Sequence, residues 1–393
     1  MPGAALALID GLERAGYPAY AVGGCVRDRL MGRTPHDFDI CTAATPRQMR
    51  DALPGVRLLS TGEAHGTLTA VVKGASYELT TFRVDGEYAD HRRPDSVRYV
   101  SDLRQDLARR DFTVNAMAYH PREGLVDPFG GREDIAAGLI RCVGDPAERF
   151  EEDALRVLRA LRFAASCDFS VELATATAAL AARHTLAFVA RERILTEVTK
   201  LLCAPAPRRG LRDFAPVLVA AAPALAPLAE DETRWVQAVD RVCAAPDSAA
   251  ERWAALLWDI PDTASALLRE LRCDNATRER VQALLAAKGL PLTPERPVLL
   301  RALRRLGPDA VRQLAALSQA DAATLAALEA LLCENPCYSV ARLAIGGADL
   351  LALGLRGPEI GRALEALLDA VIEGRVENRR EALLHSLSDP CAH

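Results

Sequence analysis

Two carboxylates two residues apart, Asp37 and Asp39, follow the turn Gly23-Gly24 by about a dozen residues. At i and i+2 of an extended segment they point to one face, with Cα atoms roughly 6.6 Å apart, close enough to ligate one or two divalent cations together. Phe38 between them turns to the other face, into the core. The glycines end one predicted strand and open a predicted helix, so the backbone can approach a ligand closely and free N–H groups favour a phosphate. Hard carboxylate oxygens beside such a turn suit Mg2+, which is commonly held by one or two carboxylates plus substrate phosphates. Glu78, alternating with Tyr77 and Leu79, is a third carboxylate that could stand on a strand beside the pair. Metals held there would activate a hydroxyl and steady a leaving pyrophosphate in an in-line displacement. The plainer alternative for all three is a solvated strand edge.

The elements that must position these groups are legible as runs and breaks. Residues 17–22, 37–42, 66–73 and 76–83 read as strands, the last two joined as a hairpin through Gly74 and Ala75. Helical patterns fall at about 2–15, 24–31, 46–52 and 102–109. From Asp145 onward Ala and Leu recur at helical spacing and β-branched runs vanish. Breaks at 203–210 and 289–297 divide the helical part. The expected architecture is α+β: a head over 1–143, then all-α segments over 144–204, 205–289 and 290–393.

A helix is expected from about 150 to 165. On a helical wheel Glu152, Asp153, Arg156 and Arg159 share an arc of about 120°, while Ala154, Val157, Leu158, Leu161 and Ala165 cover the opposite side. Taken alone, that polar face is a solvated surface laced by i,i+3 and i,i+4 ion pairs.

Composition excludes several classes. A chain of 393 residues with 50% hydrophobic and 26% charged positions is a globular protein of two to four domains. The longest uncharged run, Phe214 to Ala229, is broken by three prolines, so no membrane span is expected. The first residues have no basic region and their apolar stretch is interrupted by Asp10 and Glu13, so a secretory signal is not expected and the expected compartment is the cytoplasm. The ten cysteines are scattered and read as reduced, with no structural metal. Net charge is −5, yet Lys73, Lys200 and Lys288 are the only lysines, so arginine supplies all but three of the 48 basic side chains. Its planar fork suits phosphates and base edges, although GC-rich codon usage gives the same bias.

The runs GGCVRDRLMGRTPHDFDICT, TGEAHGT, YELTTFR, RRDFTVNAMA, DPFGG and RFEEDALRVLRALRFAA, in that order over roughly the first 165 residues, resemble the bacterial class II tRNA nucleotidyltransferases. These are the CCA-adding enzymes related to poly(A) polymerase. Glu192-Arg193-Ile194 with Glu197 is similar to the family's last neck motif. The resemblance implies a DNA polymerase β-like nucleotidyltransferase head with a small mixed sheet, followed by helical neck, body and tail. It also implies that Asp37 and Asp39 hold the catalytic metals, with Glu78 beside them, and that Gly23, Gly24, Arg27 and Arg110 contact the nucleotide. Asp111 and Asn115 then belong to the sugar and triphosphate side, and Arg159 and Arg162 to the nucleotide site.

In the family the positions of Asp153 and Arg156 read the incoming base, and the chemistry is specific. Cytosine and adenine present an exocyclic amino donor beside a ring-nitrogen acceptor; uracil and guanine present the reverse. An aspartate that accepts and an arginine that only donates match C and A and mismatch U and G. The implied substrates are CTP, ATP and tRNA. A polar loop over 85–94 favours CCA or A addition over CC-only addition. The segment from Gly347 to Gly361, with Asn378 beyond, resembles a tRNA-binding tail. A-only addition, poly(A) polymerase activity and a nucleotidyltransferase for a non-RNA substrate are the alternatives. Oligomeric state stays open, a homodimer included.

Overall fold

Apolar and polar alternation builds a mixed sheet at the start of the chain. The computed structural model describes residues 1–85 and 97–388, so the loop expected over 85–94 lies, beyond Asp85, outside the described residues. The strands are β1 (Ala19–Val22), β2 (Asp39–Thr42), β3 (Arg57–Leu59), β4 (Thr67–Val72), β5 (Ala75–Thr81), β8 (Ala118–His120) and β9 (Gly124–Val126), in the order β3-β4-β5-β2-β1-β8-β9. Strands β6 (Arg83–Asp85) and β7 (Val97–Tyr99) form a separate antiparallel pair. Within the large sheet β2 runs parallel to β5 and the other pairings are antiparallel.

The β4–β5 hairpin forms one residue earlier than the sequence suggests. Lys73 and Gly74 both have positive φ (51° and 81°), the backbone demanded by a two-residue turn whose twist matches the strands. Ala75 therefore belongs to β5. Helix α1 (Gly3–Arg14) packs Leu8, Ile9 and Leu12 against Ile40, Met49, Leu68 and Leu79. Helix α2 (Gly24–Leu30) places Cys25 and Val26 with Ala21 and Met117. Helix α3 (Pro46–Ala52) begins at a Thr45–Gln48 capping box with proline in its first turn. Helix α4 (Leu103–Ala108) is capped by Asp102, which accepts from the Arg104 N–H, and α5 (Gly131–Ala137) follows β9. The remainder is mostly helical, but the expected all-α sequel is not free of strand: β10 (Leu139–Ile140) pairs in parallel with β11 (Ser170–Val171), which lies within 144–204.

The expected helix over 150–165 is two helices. Helix α6 (Pro146–Glu152) ends where Asp153 takes an extended backbone (φ −135°, ψ 101°), and α7 (Leu155–Cys167) starts beyond it. The apolar side holds: Ala154, Val157, Leu158, Leu161 and Ala165 are buried. Helices α8 (Leu173–Ala182) and α9 (Arg191–Leu202) complete this region, α6 packing on α8 and α7 on α9.

The chain forms two compact units. The first holds residues 1–239 with 267–273, the second 240–266 with the residues from Asp274 onward. The second is helical, with one core around Leu299, Leu303, Val311 and Leu368 and another around Ile345, Leu350, Leu367 and Leu383. There the Asn378 side chain accepts from the Ala344 N–H (2.8 Å) and donates to the Arg342 carbonyl (2.9 Å). Among the described residues no helix is long and apolar enough to cross a membrane. The described cysteines are unpaired.

Candidate active site

Strand β2 sets the centre of the site. Asp39 is its first residue, paired in register with Glu78 of β5 on one side and Val22 of β1 on the other. Adjacent strands lie about 4.8 Å apart, so the two carboxylates are neighbours on one face of the sheet. Tyr77 and Leu79, flanking Glu78, are buried while Glu78 is exposed. Asp37 stands just before the strand and is also exposed. Phe38 turns away into an apolar cavity of about 270 Å3 that Ala21, Cys25, Val26 and Leu125 help to line. The surrounding protein and the negative Glu78 and Asp37 push the Asp39 carboxyl up to about 6, against the pull of Arg110. This is a carboxylate short of positive charge.

Gly23 and Arg110 adjoin it. Gly23 caps α2 with φ 78° and donates its N–H to the Met117 carbonyl. A Cβ there would sit 3.2 Å from an Arg110 terminal nitrogen and require a backbone that side chains rarely adopt. Arg110 is anchored by Asp106, 3.2 Å away. Its buried Nε has no hydrogen-bond partner among the described residues, an unused donor of the kind a phosphate takes.

A chain of polar contacts leads from α2 to α7. Arg27 donates from Nε and one terminal nitrogen to Asp28 and from the other to Asn115 (2.7 Å). With five N–H donors on a guanidinium, two remain for a ligand. The Asn115 amide donates to Asp111 (3.4 Å), which also receives Arg159 (2.8 and 2.5 Å) and the Phe112 N–H. Burial works against the Asp111 charge, but Arg159 and Arg156 outweigh it and bring the carboxyl down to about 2. Arg162 pairs with Glu197 of α9. Gly23, Gly24, Arg27, Arg110, Asp111, Asn115, Arg159 and Arg162 thus fall in one continuous region around α2, the RRDFT segment and α7.

The Arg156 N–H donates to the Asp153 carbonyl (2.9 Å), while the two side chains take the other partners named next. The helix break gives Asp153 its own role: one carboxylate oxygen accepts from the Leu155 N–H (3.1 Å), capping α7, and the other accepts from Arg193 of α9 (3.2 Å). Arg156, buried, donates to Glu152 (2.5 Å) and to the Arg149 and Arg109 carbonyls. The wheel that put Glu152, Asp153, Arg156 and Arg159 on one arc fails because α6 ends between Glu152 and the residues it would continue into.

Two residues of this network are not among the expected site residues, although Phe163 falls within the run RFEEDALRVLRALRFAA. Phe163 is buried, edge-on to Phe112 at 5.7 Å, and carries three guanidinium groups around its ring: Arg162 at 3.8 Å, Arg27 and Arg159 at 5.2 Å from the centroid. Asp106, wholly buried, binds both Arg109 and Arg110 and accepts from the Arg83 N–H. The spacing Asp-x-x-Arg-Arg is the helical i,i+3 and i,i+4 arrangement, which would have identified Asp106.

The donor set fits a hard divalent cation of the kind held by one or two carboxylates and completed by substrate oxygens. Among the described residues no group of three or more His, Cys, Asp or Glu forms a metal cage. Asp37 and Asp39, with Glu78 beside them, are instead an open carboxylate edge.

Comparison with known proteins shows the family of the chain. The Poly A polymerase head domain matches residues 19–141, and domain 2 of the tRNA nucleotidyltransferases matches residues 245–387. A CCA-adding enzyme of Lactobacillus delbrueckii subsp. bulgaricus is 35% identical over 390 residues, covering 98% of this chain and 97% of that one. One from Geobacillus thermodenitrificans is 36% identical, covering 96% and 95%. The crystal structure of the Bacillus stearothermophilus CCA-adding enzyme in complex with CTP superposes with TM-score 0.76 at 33% identity, covering 98% of this chain and 96% of that one.

Proposed function

The chain belongs to the CCA-adding enzyme family, and we propose on that premise that it adds CMP, CMP and AMP to the 3′ end of tRNA without a template. CTP and ATP are the donors, and pyrophosphate is released at each addition. The observation that carries this reading is the carboxylate edge formed by Asp39 and Glu78 in register, with Arg110 and the Gly23 turn beside it. We assign chemistry to the head over 1–143, base selection to the neck over 144–204, and tRNA holding to the tail over 290–393, beyond the helical body over 205–289. The reaction belongs in the cytoplasm, with its tRNA substrate.

Asp37 and Asp39 are the metal-holding residues and Mg2+ the cation, which when bound polarises the α-phosphate and favours the alkoxide form of the attacking hydroxyl. Glu78 adds negative charge beside Asp39. Arg110, Arg27 and the Gly23-Gly24 turn receive the triphosphate and then the departing pyrophosphate, whose charge is best met by donors already in place. Asp111 and Asn115 face the sugar, and Arg159, fixed by Asp111, and Arg162, fixed by Glu197, complete the nucleotide site.

Asp153 and Arg156 select the base. The Asp153 oxygens, each with one donor already, keep acceptor capacity for an exocyclic amino group, and Arg156 donates to the ring nitrogen. Uracil and guanine would leave the half-buried Asp153 and the buried Arg156 facing like partners, which is costly. The test supplies labelled CTP or ATP with tRNA lacking all of CCA and with tRNA ending in CC. Addition of both nucleotides to the first substrate is expected; ATP incorporation on the second alone would make this an A-adding enzyme. Asp39→Ala should abolish incorporation of both, and Asp153→Ala should admit UTP and GTP. Full activity of the first variant would remove the metal assignment, and unchanged selectivity of the second the base-reading one.

A further inference from the structure

Behind the two aspartates lies the apolar cavity of about 270 Å3 into which Phe38 turns. Phe38 is the residue between Asp37 and Asp39, so a body in the cavity would press on the backbone that carries both. Cys25 and Val26 of α2 also line it, directly after the Gly23-Gly24 turn. The Cys25 thiol donates to the Val22 carbonyl (3.4 Å) and lies beside the Asp39 backbone N–H. Ala21 and Tyr119, paired in register, and Leu125 of β9 complete the wall. The cavity therefore touches the backbone of the aspartate pair and of the glycine turn from the side away from the carboxylates.

The polar side chains of its lining face solvent. Arg29 is exposed and, among the described residues, its guanidinium has no hydrogen-bond or carboxylate partner. The Tyr119 hydroxyl, on a side chain of a residue 39% exposed, has none there either. An apolar wall with one uncommitted guanidinium at its mouth selects an amphipathic anion, its apolar body inside and a single carboxylate outside. Size narrows the class. An apolar cavity of about 150 Å3 takes benzene, so about 270 Å3 suits a body of two fused rings. We propose that the cavity is a binding site for a small aromatic carboxylate, held by Arg29 and packed against Phe38, and that its occupation is coupled to the nucleotide site on the other face. Packing against Phe38 removes motion from the segment that carries Asp37 and Asp39, so Mg2+ and CTP then bind with less left to order. The coupling, though not the binding, rests on the reading of those aspartates as metal-holding residues.

The probe is 2-naphthoate, titrated calorimetrically into the full chain, with naphthalene-2-carboxamide as its uncharged counterpart. A dissociation constant on the order of 100 μM is expected for the acid. Arg29→Gln should weaken the acid about tenfold and leave the amide unchanged, and Arg29→Lys should recover most of the loss. Leu125→Trp, which fills the cavity from β9, should abolish binding of both, with the thermal melt of each variant monitored. Mg2+ and CTP together should tighten 2-naphthoate about threefold, and 2-naphthoate should tighten CTP by the same factor in the absence of tRNA. Affinity equal in the parent, Arg29→Gln and Leu125→Trp, or no binding to the parent, would overturn the proposal. Equal loss of acid and amide in Arg29→Gln would remove the carboxylate from it, and an affinity unmoved or weakened by Mg2+ and CTP would remove the coupling. If 2-naphthoate instead splits a dimer of the chain, the occupant is a second copy and the proposal falls. A chain that binds 2-naphthoate as expected but adds no nucleotide to tRNA would sink the functional reading and leave the site standing.

Discussion

Two arginine clusters meet in the first unit, and they are held differently. Around Phe163, Arg27 is answered by Asp28, Arg159 by Asp111 and Arg162 by Glu197, one carboxylate to each guanidinium. Around Asp106 and Glu152 each carboxylate answers two. The first cluster is neutral and closed on an aromatic ring, an arrangement that holds geometry. The second shares each of these carboxylates between two guanidinium groups and keeps buried Nε donors on Arg110 and Arg149 without a hydrogen-bond partner among the described residues, with Asp111 a further counter-charge to Arg110 and Arg156. Arginine is held here in two ways, singly against one carboxylate around the ring and pairwise against a shared carboxylate at Asp106 and Glu152.

The largest expected effect strikes the cluster with shared carboxylates. Asp106→Asn leaves Arg109 and Arg110 crowded together with their shared buried counter-charge removed, and should cost about 3–5 kcal/mol in urea unfolding. Phosphate or CTP should restore part of that stability, because each supplies a missing negative charge. A variant as stable as the parent would break the distinction between the clusters. In the balanced cluster the corresponding loss is smaller and pH-dependent. The Asp111 carboxyl, held at about 2 in the fold, contributes about 2 kcal/mol that is fully present above its unfolded value near pH 4 and is lost as pH falls toward 2. Asp111→Asn should therefore differ most from the parent at neutral pH, with the gap closing below pH 4 in thermal melts.

The smallest effect sharpens the role of the ring. Phe163→Leu keeps an apolar side chain but loses the face that attracts three cations, and should raise the KM for both nucleotides several-fold with about 1–2 kcal/mol of destabilisation. Phe163→Tyr, which keeps that face, should recover the KM. Equal KM values for the two variants would reduce Phe163 to a space-filler.

The sheet was legible because alternation is a local signal: Tyr77-Glu78-Leu79 shows its inward and outward sides in sequence, and the register confirms Glu78 opposite Asp39. The break at Asp153 was not, because Glu-Glu-Asp-Ala-Leu-Arg has helix-compatible residues throughout. What ends α6 there includes a partner 40 residues away, Arg193, holding the same carboxylate that caps α7. The Phe163 cluster escaped for the same reason, since Arg27 arrives at the ring from α2. Many other arginines that composition left unexplained are spent within the fold, as where Arg304 binds both Glu365 and Asp369.

The parallel pairing of β2 with β5 also sets when the site can exist. An antiparallel pair such as β4–β5 closes through a two-residue turn, whereas parallel neighbours need a long crossover. Here that crossover contains α3, β3 and β4. Asp39 and Glu78 meet only when β5 is laid beside β2, a step burdened by loop-closure entropy and expected to be slow. The carboxylate edge therefore depends on a long-range pairing, and a chain that holds only its local hairpin and helices does not bring Asp39 and Glu78 together.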